Sequence, residues 1–152
     1  MARYSLTRKG KNILLDDEHR VVEAIRAAER RTSGEIRVFI ESKCRYVNPV
    51  DRAAEVFFAL QMERTRDRNA VLVYVAYKHR QAAIFGDVEI YHRVGTRFWE
   101  SEVAKMLQHF ARQDFAEGLI SVVHDVGEVL SKEFPIERDD KNELPDDIVF
   151  GD

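Results

Sequence analysis

The spacing of apolar residues switches between helical and strand periods along the first half of the chain. After Asp16, a predicted N-cap, apolar side chains recur every three or four residues, and Gly34 is a candidate for a left-handed C-cap. From residue 35 to residue 41 they occupy alternate positions, which predicts a strand. Asn48-Pro49 then predicts a helix start, because Asn accepts a capping hydrogen bond and Pro needs no donor in the first turn.

The second half begins with a continuous apolar run, residues 70–77, which is typical of a central strand covered on both faces. Lys78-His79-Arg80 predicts a turn, and residues 81–85 predict an antiparallel return strand that stops at Gly86-Asp87. Helical spacing dominates the rest of the chain. It predicts a short helix over residues 88–94, a longer helix, and a last helix that starts at a capping box of Asp114 and Glu117 and ends before Pro135.

This order of elements predicts an α/β fold, a three-layer α/β/α sandwich flanked by about four to five helices. The first two strands enclose a helix, so we expect them to be parallel, with the third pairing antiparallel as a hairpin. A fourth strand is compatible with the chain but has no assigned position. Residues 1–15 form a basic N-terminal segment, residues 16–135 the domain, and residues 136–152 an acidic tail that is either solvated or docked through its apolar residues.

Composition narrows the functional classes. The chain has 152 residues, 45% hydrophobic and 34% charged, which suits one globular domain. A net charge of −3 gives no global attraction to nucleic acid. Without a long apolar run or an apolar signal region, we expect no membrane segment and a cytoplasmic location. Cys44 is the only cysteine, so an internal disulfide is excluded.

Acidic residues fall at three places that the predicted topology brings to one edge of the sheet. The start of the first strand, the start of the second and the end of the third carry Glu35, Asp67 with Asn69, and Asp87 with Glu89. Oxygen ligands from separate loops suit a hard cation such as Ca²⁺ or Mg²⁺. Alternatively, Asp87 caps the short helix after it and Glu35 pairs with Arg37 or Arg68, which leaves an ordinary polar edge.

Three arginines, Arg64, Arg66 and Arg68, lie beside this edge in the sequence. Guanidinium groups bind phosphate bidentately, so a metal and these arginines would hold a phosphomonoester for attack by metal-bound water. The alternative is a solvated loop with local ion pairs. The motifs of covalent phosphatases and the His-x3-His zinc spacing do not occur in the chain.

Several short segments together resemble the TPM-domain family in its short soluble form. They are Thr32–Val38, Arg68–Val75, Ile84–Asp87, Phe98-Trp99, Phe134-Pro135 and Asn142–Asp146. The resemblance implies an α/β/α sandwich and a divalent-metal site, with calcium the usual suggestion. It also implies, through distant membrane- or thylakoid-associated relatives, a phosphatase activity. The family often has glycine where this chain has Glu89, which either adds a ligand or marks a changed site.

Three functions follow from these observations. The first is a divalent-metal binding module with Glu35, Asp67, Asp87 and Glu89 as ligands. The second is a metal-dependent acid phosphatase that acts on phosphomonoesters. The third is a protein-interaction module without chemistry, which binds an unknown protein partner through the acidic tail or a helix face.

Overall fold

The structure, a computed structural model, describes residue 14, residues 17–136 and residues 148–151. Its elements are α1 (Glu18–Glu29), β1 (Glu35–Glu41), α2 (Pro49–Ala59), β2 (Ala70–Ala76), β3 (Gln81–Gly86), α3 (Val88–Val94), α4 (Thr96–Ala111), α5 (Phe115–Glu133) and β4 (Val149–Phe150). The predicted N-cap Asp16, the basic N-terminal segment apart from Leu14, and most of the acidic tail lie outside the described residues.

Four strands form one mixed sheet in the order β3-β2-β1-β4. β1 and β2 are parallel with Glu35 opposite Ala70, and β2 and β3 are antiparallel with Val71 opposite Gly86. Both pairings confirm the predictions. β4 is the fourth strand, and it runs parallel to β1 with Val149 opposite Phe39.

Helices cover both faces of the sheet, which confirms the three-layer sandwich. Alternate residues of a strand point to opposite faces, so Ile36, Val38 and Ile40 pack in one core with α1, α4 and α5. Phe39, between them, belongs to the second core, which α2 covers. All of β2 is buried, which confirms the prediction that the continuous apolar run is a central strand covered on both faces.

The helix ends agree with the sequence at one cap and differ at two. Asn48 Oδ1 accepts from the Val50 N–H at 3.0 Å, as predicted. The capping box is wrong, because the Asp114 side chain makes no cap bond and instead lies 3.3 Å from His109 Nδ1. The left-handed C-cap at Gly34 is also wrong, because α1 ends at Glu29 with Arg30 as its C-cap. A Cβ on Gly34 would lie 2.7 Å from Leu130 Cδ2, so close packing explains this glycine.

No helix among residues 17–136 has both the length and the apolar character that a membrane span requires.

Candidate functional site

Three segments meet at the amino ends of β1 and β2, as the predicted topology requires. The Asp87 N–H donates to Ala70 O at 2.9 Å, and the Glu89 N–H donates to Arg68 O at 3.2 Å. Since Ala70 also lies opposite Glu35, the backbones of all three segments are in register here. We call this region, residues 33–35, 65–69 and 87–89, the acidic edge.

Asp87 is the most completely bonded carboxylate of the acidic edge. Its side chain is 2% exposed, and Arg68 donates to it bidentately, from Nε to Oδ2 at 2.7 Å and from Nη2 to Oδ1 at 2.8 Å. The Val88 N–H also donates to Oδ1, at 2.8 Å, so Asp87 caps α3. The hydrogen bond with Asp87 raises the pKa of Arg68. Asp87 therefore both caps α3 and pairs with Arg68.

Arg68 reaches Asp87 from an unusual backbone conformation. Its φ is +50°, in the left-handed region that residues with a Cβ rarely adopt. The turn is closed by the Arg68 N–H, which donates to Thr65 O at 3.4 Å. Gln61, Arg80 and Gln113 adopt the same conformation at other turns, so it does not by itself mark a functional site. Nothing in the apolar pattern of the sequence signals this turn.

A second group of polar side chains forms a short chain of hydrogen bonds. Ser33 Oγ donates to Asp67 Oδ2 at 3.2 Å, and Asn69 Nδ2 donates to Ser33 Oγ at 3.1 Å. Asn69 is 1% exposed, and no donor of the described residues reaches its Oδ1. The buried Oγ1 of Thr65, in the same loop, also lacks a partner there. Sequence reasoning found Asn69 but missed Ser33 and Thr65, whose only signal was their place beside the predicted edge.

The other predicted residues differ in burial. Glu35 is 2% exposed and lies on the α2 side of the sheet, since its position alternates with that of Ile36. Glu89 and Arg64 are exposed. Arg66 lies 3.4 Å from Asp67, so Arg66 and Arg68 both form the local ion pairs that were the alternative to phosphate binding.

Carboxylates alone do not make a metal centre here. In the part of the chain that the structure describes, no three Asp, Glu, His or Cys side chains converge as one ligand group. A hard cation also accepts hydroxyl and amide oxygens, and the partnerless Asn69 Oδ1 is an oxygen of that kind. Asp67, Ser33 and Asn69 carry oxygen atoms of this kind at the acidic edge, and Asn69 turns its Nδ2 toward the Ser33 hydroxyl.

Packing against α3 and α4, and not the close approach of a ligand, explains why a glycine precedes Asp87. A Cβ at this position would lie 3.2 Å from Ile90 Cγ2 and 3.3 Å from Trp99 Cζ2. The glycine thus lets α3 and α4 pack against the end of β3. This packing fixes where Asp87 leaves the strand.

The opposite ends of β1 and β2 carry a network that sequence reasoning missed. Arg52 donates to Glu41 bidentately, from Nε at 2.9 Å and from Nη2 at 3.0 Å. The Tyr74 hydroxyl donates to the same carboxylate. Burial, together with the hydrogen bond to Glu41, raises the pKa of Tyr74. Glu41 is 5% exposed, and both of its oxygens are bonded.

A sheet of four strands between two helical layers, with carboxylates gathered at one strand edge, defines an α/β/α protein of the kind expected from the sequence. The family model of the TPM domain matches residues 9–129, and the chain belongs to this family. No protein with a curated description matches it.

Two solved structures are similar. The BA42 protein of the psychrophilic bacterium Bizionia argentinensis, determined by NMR, is 38% identical with a TM-score of 0.81, and the match covers 90% of this chain and 93% of that one. The N-terminal domain of the cg2496 protein of Corynebacterium glutamicum is 15% identical with a TM-score of 0.53, over 88% of this chain and 79% of that one. The second likeness supports the fold alone.

Proposed function

We propose that this TPM-domain chain is a binding module that holds one divalent cation, Ca²⁺ or Mg²⁺, at the acidic edge without turnover. The observation that carries the proposal is Asn69 Oδ1, a buried oxygen with no donor among the described residues. A buried polar atom without a partner costs about 1–3 kcal/mol, and a cation removes that cost.

The ligands of the proposed site differ in their closeness to that oxygen. Two hydrogen bonds connect Asn69 to Asp67 through the Ser33 hydroxyl. Asp67 is therefore the carboxylate that the hydrogen-bond chain joins to Asn69. Glu35 and Asp87, both 2% exposed, add negative charge at the same edge. Glu89 is exposed and would act from the solvent side.

In this proposal, the Arg68 guanidinium supplies the positive charge beside Asp87 when no metal is bound. Its guanidinium neutralises Asp87, which otherwise would be a buried charge without compensation. A divalent cation that takes Asp87 as a ligand must displace Arg68, whose side chain is 41% exposed and has solvent to move into. Cation binding and the Arg68–Asp87 ion pair therefore compete.

The same ion pair makes a phosphomonoesterase the weaker proposal. A phosphate at this edge would have to take Nε and Nη2 of Arg68 away from Asp87. Hydrolysis of an aryl phosphate that is lost with chelator and with Asp87→Asn would support it. The interaction module likewise stays a prediction, which sedimentation of the chain with and without residues 136–152 tests.

Thermal unfolding with and without millimolar Ca²⁺ or Mg²⁺ tests the proposal, since a ligand of the folded state raises Tm. We expect a rise for the wild-type chain and a much smaller one for Asp67→Asn. The matched control is Asp51→Asn, which changes an exposed carboxylate in the first turn of α2. An equal rise in Asp67→Asn and Asp51→Asn, or none in the wild type, would refute the site.

A further inference from the structure

Two neighbouring segments form one surface at the carboxyl ends of β1 and β2. One is residues 42–50, which comprise the loop after β1 and the first residues of α2, and the other is residues 77–80, the turn between β2 and β3. The Lys78 N–H donates to Ser42 O at 2.8 Å, which ties the two segments together. We call this surface the basic tip.

Positive charge is concentrated on the basic tip, although the whole chain has a net charge of −3. Its exposed basic side chains are Lys43, Arg45, Lys78, His79 and Arg80. Among the described residues, no carboxylate forms an ion pair with Lys43, Arg45 or Arg80. The acids beside the tip on α2 are Asp51, which is exposed, and Glu55, which Arg52 already pairs. The local charge is therefore left for an anionic partner.

Exposed apolar side chains lie beside these charges. Val47 is 101% exposed, so the whole residue is in solvent, and Tyr46 and Val50 are 38% and 44% exposed. A residue that projects so completely from a loop makes a convex surface. Small molecules bind in concave sites and peptides in grooves or along strand edges, whereas a convex apolar tip suits a deformable surface into which it inserts.

Side-chain bonds hold the base of the basic tip in place. The Tyr46 hydroxyl donates to Glu55 of α2, and Arg52 donates to the same carboxylate. His79 Nδ1 lies 2.9 Å from Cys44 O, which links the turn to the loop by a second contact. Because the tip is already formed, binding through it loses little conformational freedom.

We propose that the basic tip docks on the surface of an anionic lipid bilayer, with Val47 inserted among the headgroups and the basic side chains against the lipid phosphates. Each basic side chain near such a surface is attracted to it, and an apolar side chain buried at the acyl boundary adds to the binding. Nucleic acid is the poorer candidate, since the aliphatic side chains of Val47 and Val50 do not stack on bases.

Co-sedimentation of the full chain with lipid vesicles tests the proposal. A chelator is present throughout, so that a divalent cation at the acidic edge, at the opposite ends of β1 and β2, does not contribute. We expect saturable binding to an equal mixture of phosphatidylcholine and phosphatidylglycerol, and none to pure phosphatidylcholine. A rise in salt from about 0.05 M to about 0.5 M should weaken binding at least about tenfold, because it screens the attraction.

Single substitutions separate the two contributions. Lys43→Gln and Arg45→Gln should each weaken vesicle binding about fivefold, and Arg30→Gln, which removes an exposed charge in the turn before β1, should not. Val47→Ser should also weaken it about fivefold. Its control is Ile136→Ser, which changes an apolar residue that is 50% exposed and lies next to the segment before β1.

A fluorescently labelled RNA oligonucleotide distinguishes a lipid surface from another polyanion. RNA binding as tight as vesicle binding, and equal in Val47→Ser and the wild type, would assign the basic tip to nucleic acid and overturn the proposal. So would the absence of saturable binding to anionic vesicles, vesicle binding that Val47→Ser leaves unchanged, or equal losses in Lys43→Gln and Arg30→Gln. Every substituted side chain is exposed, so each variant is expected to fold.

Discussion

The two ends of the parallel pair β1–β2 both bury a carboxylate beside an arginine, yet they differ in the side chains that complete each hydrogen-bonded network. At the carboxyl end, Arg52 and Tyr74 together bond both oxygens of Glu41. At the amino end, Arg68 bonds both oxygens of Asp87, but Asn69 Oδ1 beside it in the sequence has no donor among the described residues.

The difference separates a structural ion pair from a candidate binding site. A buried network whose members are all bonded makes one structure rigid, whereas an incomplete one carries a cost that a ligand removes. We therefore assign structure to the carboxyl end and cation binding to the amino end.

The largest effect is expected at the structural end. Arg52→Met should lower the free energy of unfolding by about 3 kcal/mol, because it leaves the Glu41 carboxylate buried without its counter-charge. Urea unfolding measures this change. Arg26→Met, which breaks the exposed pair with Glu23, is the control and should cost less than about 1 kcal/mol. Similar losses in the two variants would contradict the structural role of Arg52.

Glu102 of α4 is a third buried carboxyl group, bonded to Lys105, and it makes stability depend on pH. Its pKa is about 7 in the folded chain against 4.5 for an unperturbed glutamic acid, so the folded state keeps the proton longer as pH rises. The unfolding free energy should therefore fall between about pH 4.5 and pH 7, by about 3 kcal/mol. The lowered pKa of Asp125 acts at lower pH, where its contribution is lost on acidification.

Urea unfolding at several pH values, for the wild-type chain and Glu102→Gln, isolates this dependence. The difference between their stabilities should shrink or reverse in favour of the variant as pH rises to 7. Parallel pH profiles of the two proteins would show that Glu102 does not titrate in this range.

Arg68→Gln sharpens the comparison at the amino end. It removes the internal cation that competes for Asp87, so the metal-free protein should be less stable while Ca²⁺ binds more tightly. If the Arg68–Asp87 ion pair is formed in nine of ten metal-free molecules, its removal should lower the dissociation constant for Ca²⁺ about tenfold. Calorimetric titration measures it. Weaker binding in Arg68→Gln would mean that the guanidinium supports the site instead of competing with it.

The smallest effect is expected for Glu89→Gln. Glu89 is exposed, and its backbone N–H, which the substitution keeps, makes the bond to Arg68 O. Long-range attraction from an exposed charge is largely screened by salt, so the Ca²⁺ dissociation constant should change less than about threefold. The same titration at 0.15 M salt checks this, and a larger loss would place Glu89 among the direct ligands.

Backbone topology was accessible from the sequence because apolar periodicity determines it. The alternation over residues 35–41 and the apolar run from residue 70 led to a parallel pair, and that pair brought Glu35, Asp67 and Asp87 to one edge. β4 had no predicted position, because Val149–Phe150 is too short for a period to show and lies within an acidic tail.

Side-chain partners were accessible only in part, because they depend on rotamers and turns that periodicity does not encode. The bidentate bond from Arg68 to Asp87 needs a left-handed residue that no local rule required. Glu102 did carry a signal, since it falls at helical spacing between the buried Trp99 and Met106. A charged residue on the buried stripe of a helix marks a place to look for chemistry.

The Asn69 side-chain amide reports most directly on the proposed cation site. Its two Nδ2 protons can be followed by NMR in a ¹⁵N-labelled sample while Ca²⁺ or Mg²⁺ is added in steps. The account predicts a saturable shift of these signals that Asp67→Asn abolishes and Asp51→Asn leaves intact. Signals that stay in place up to millimolar concentrations of both metals would contradict it.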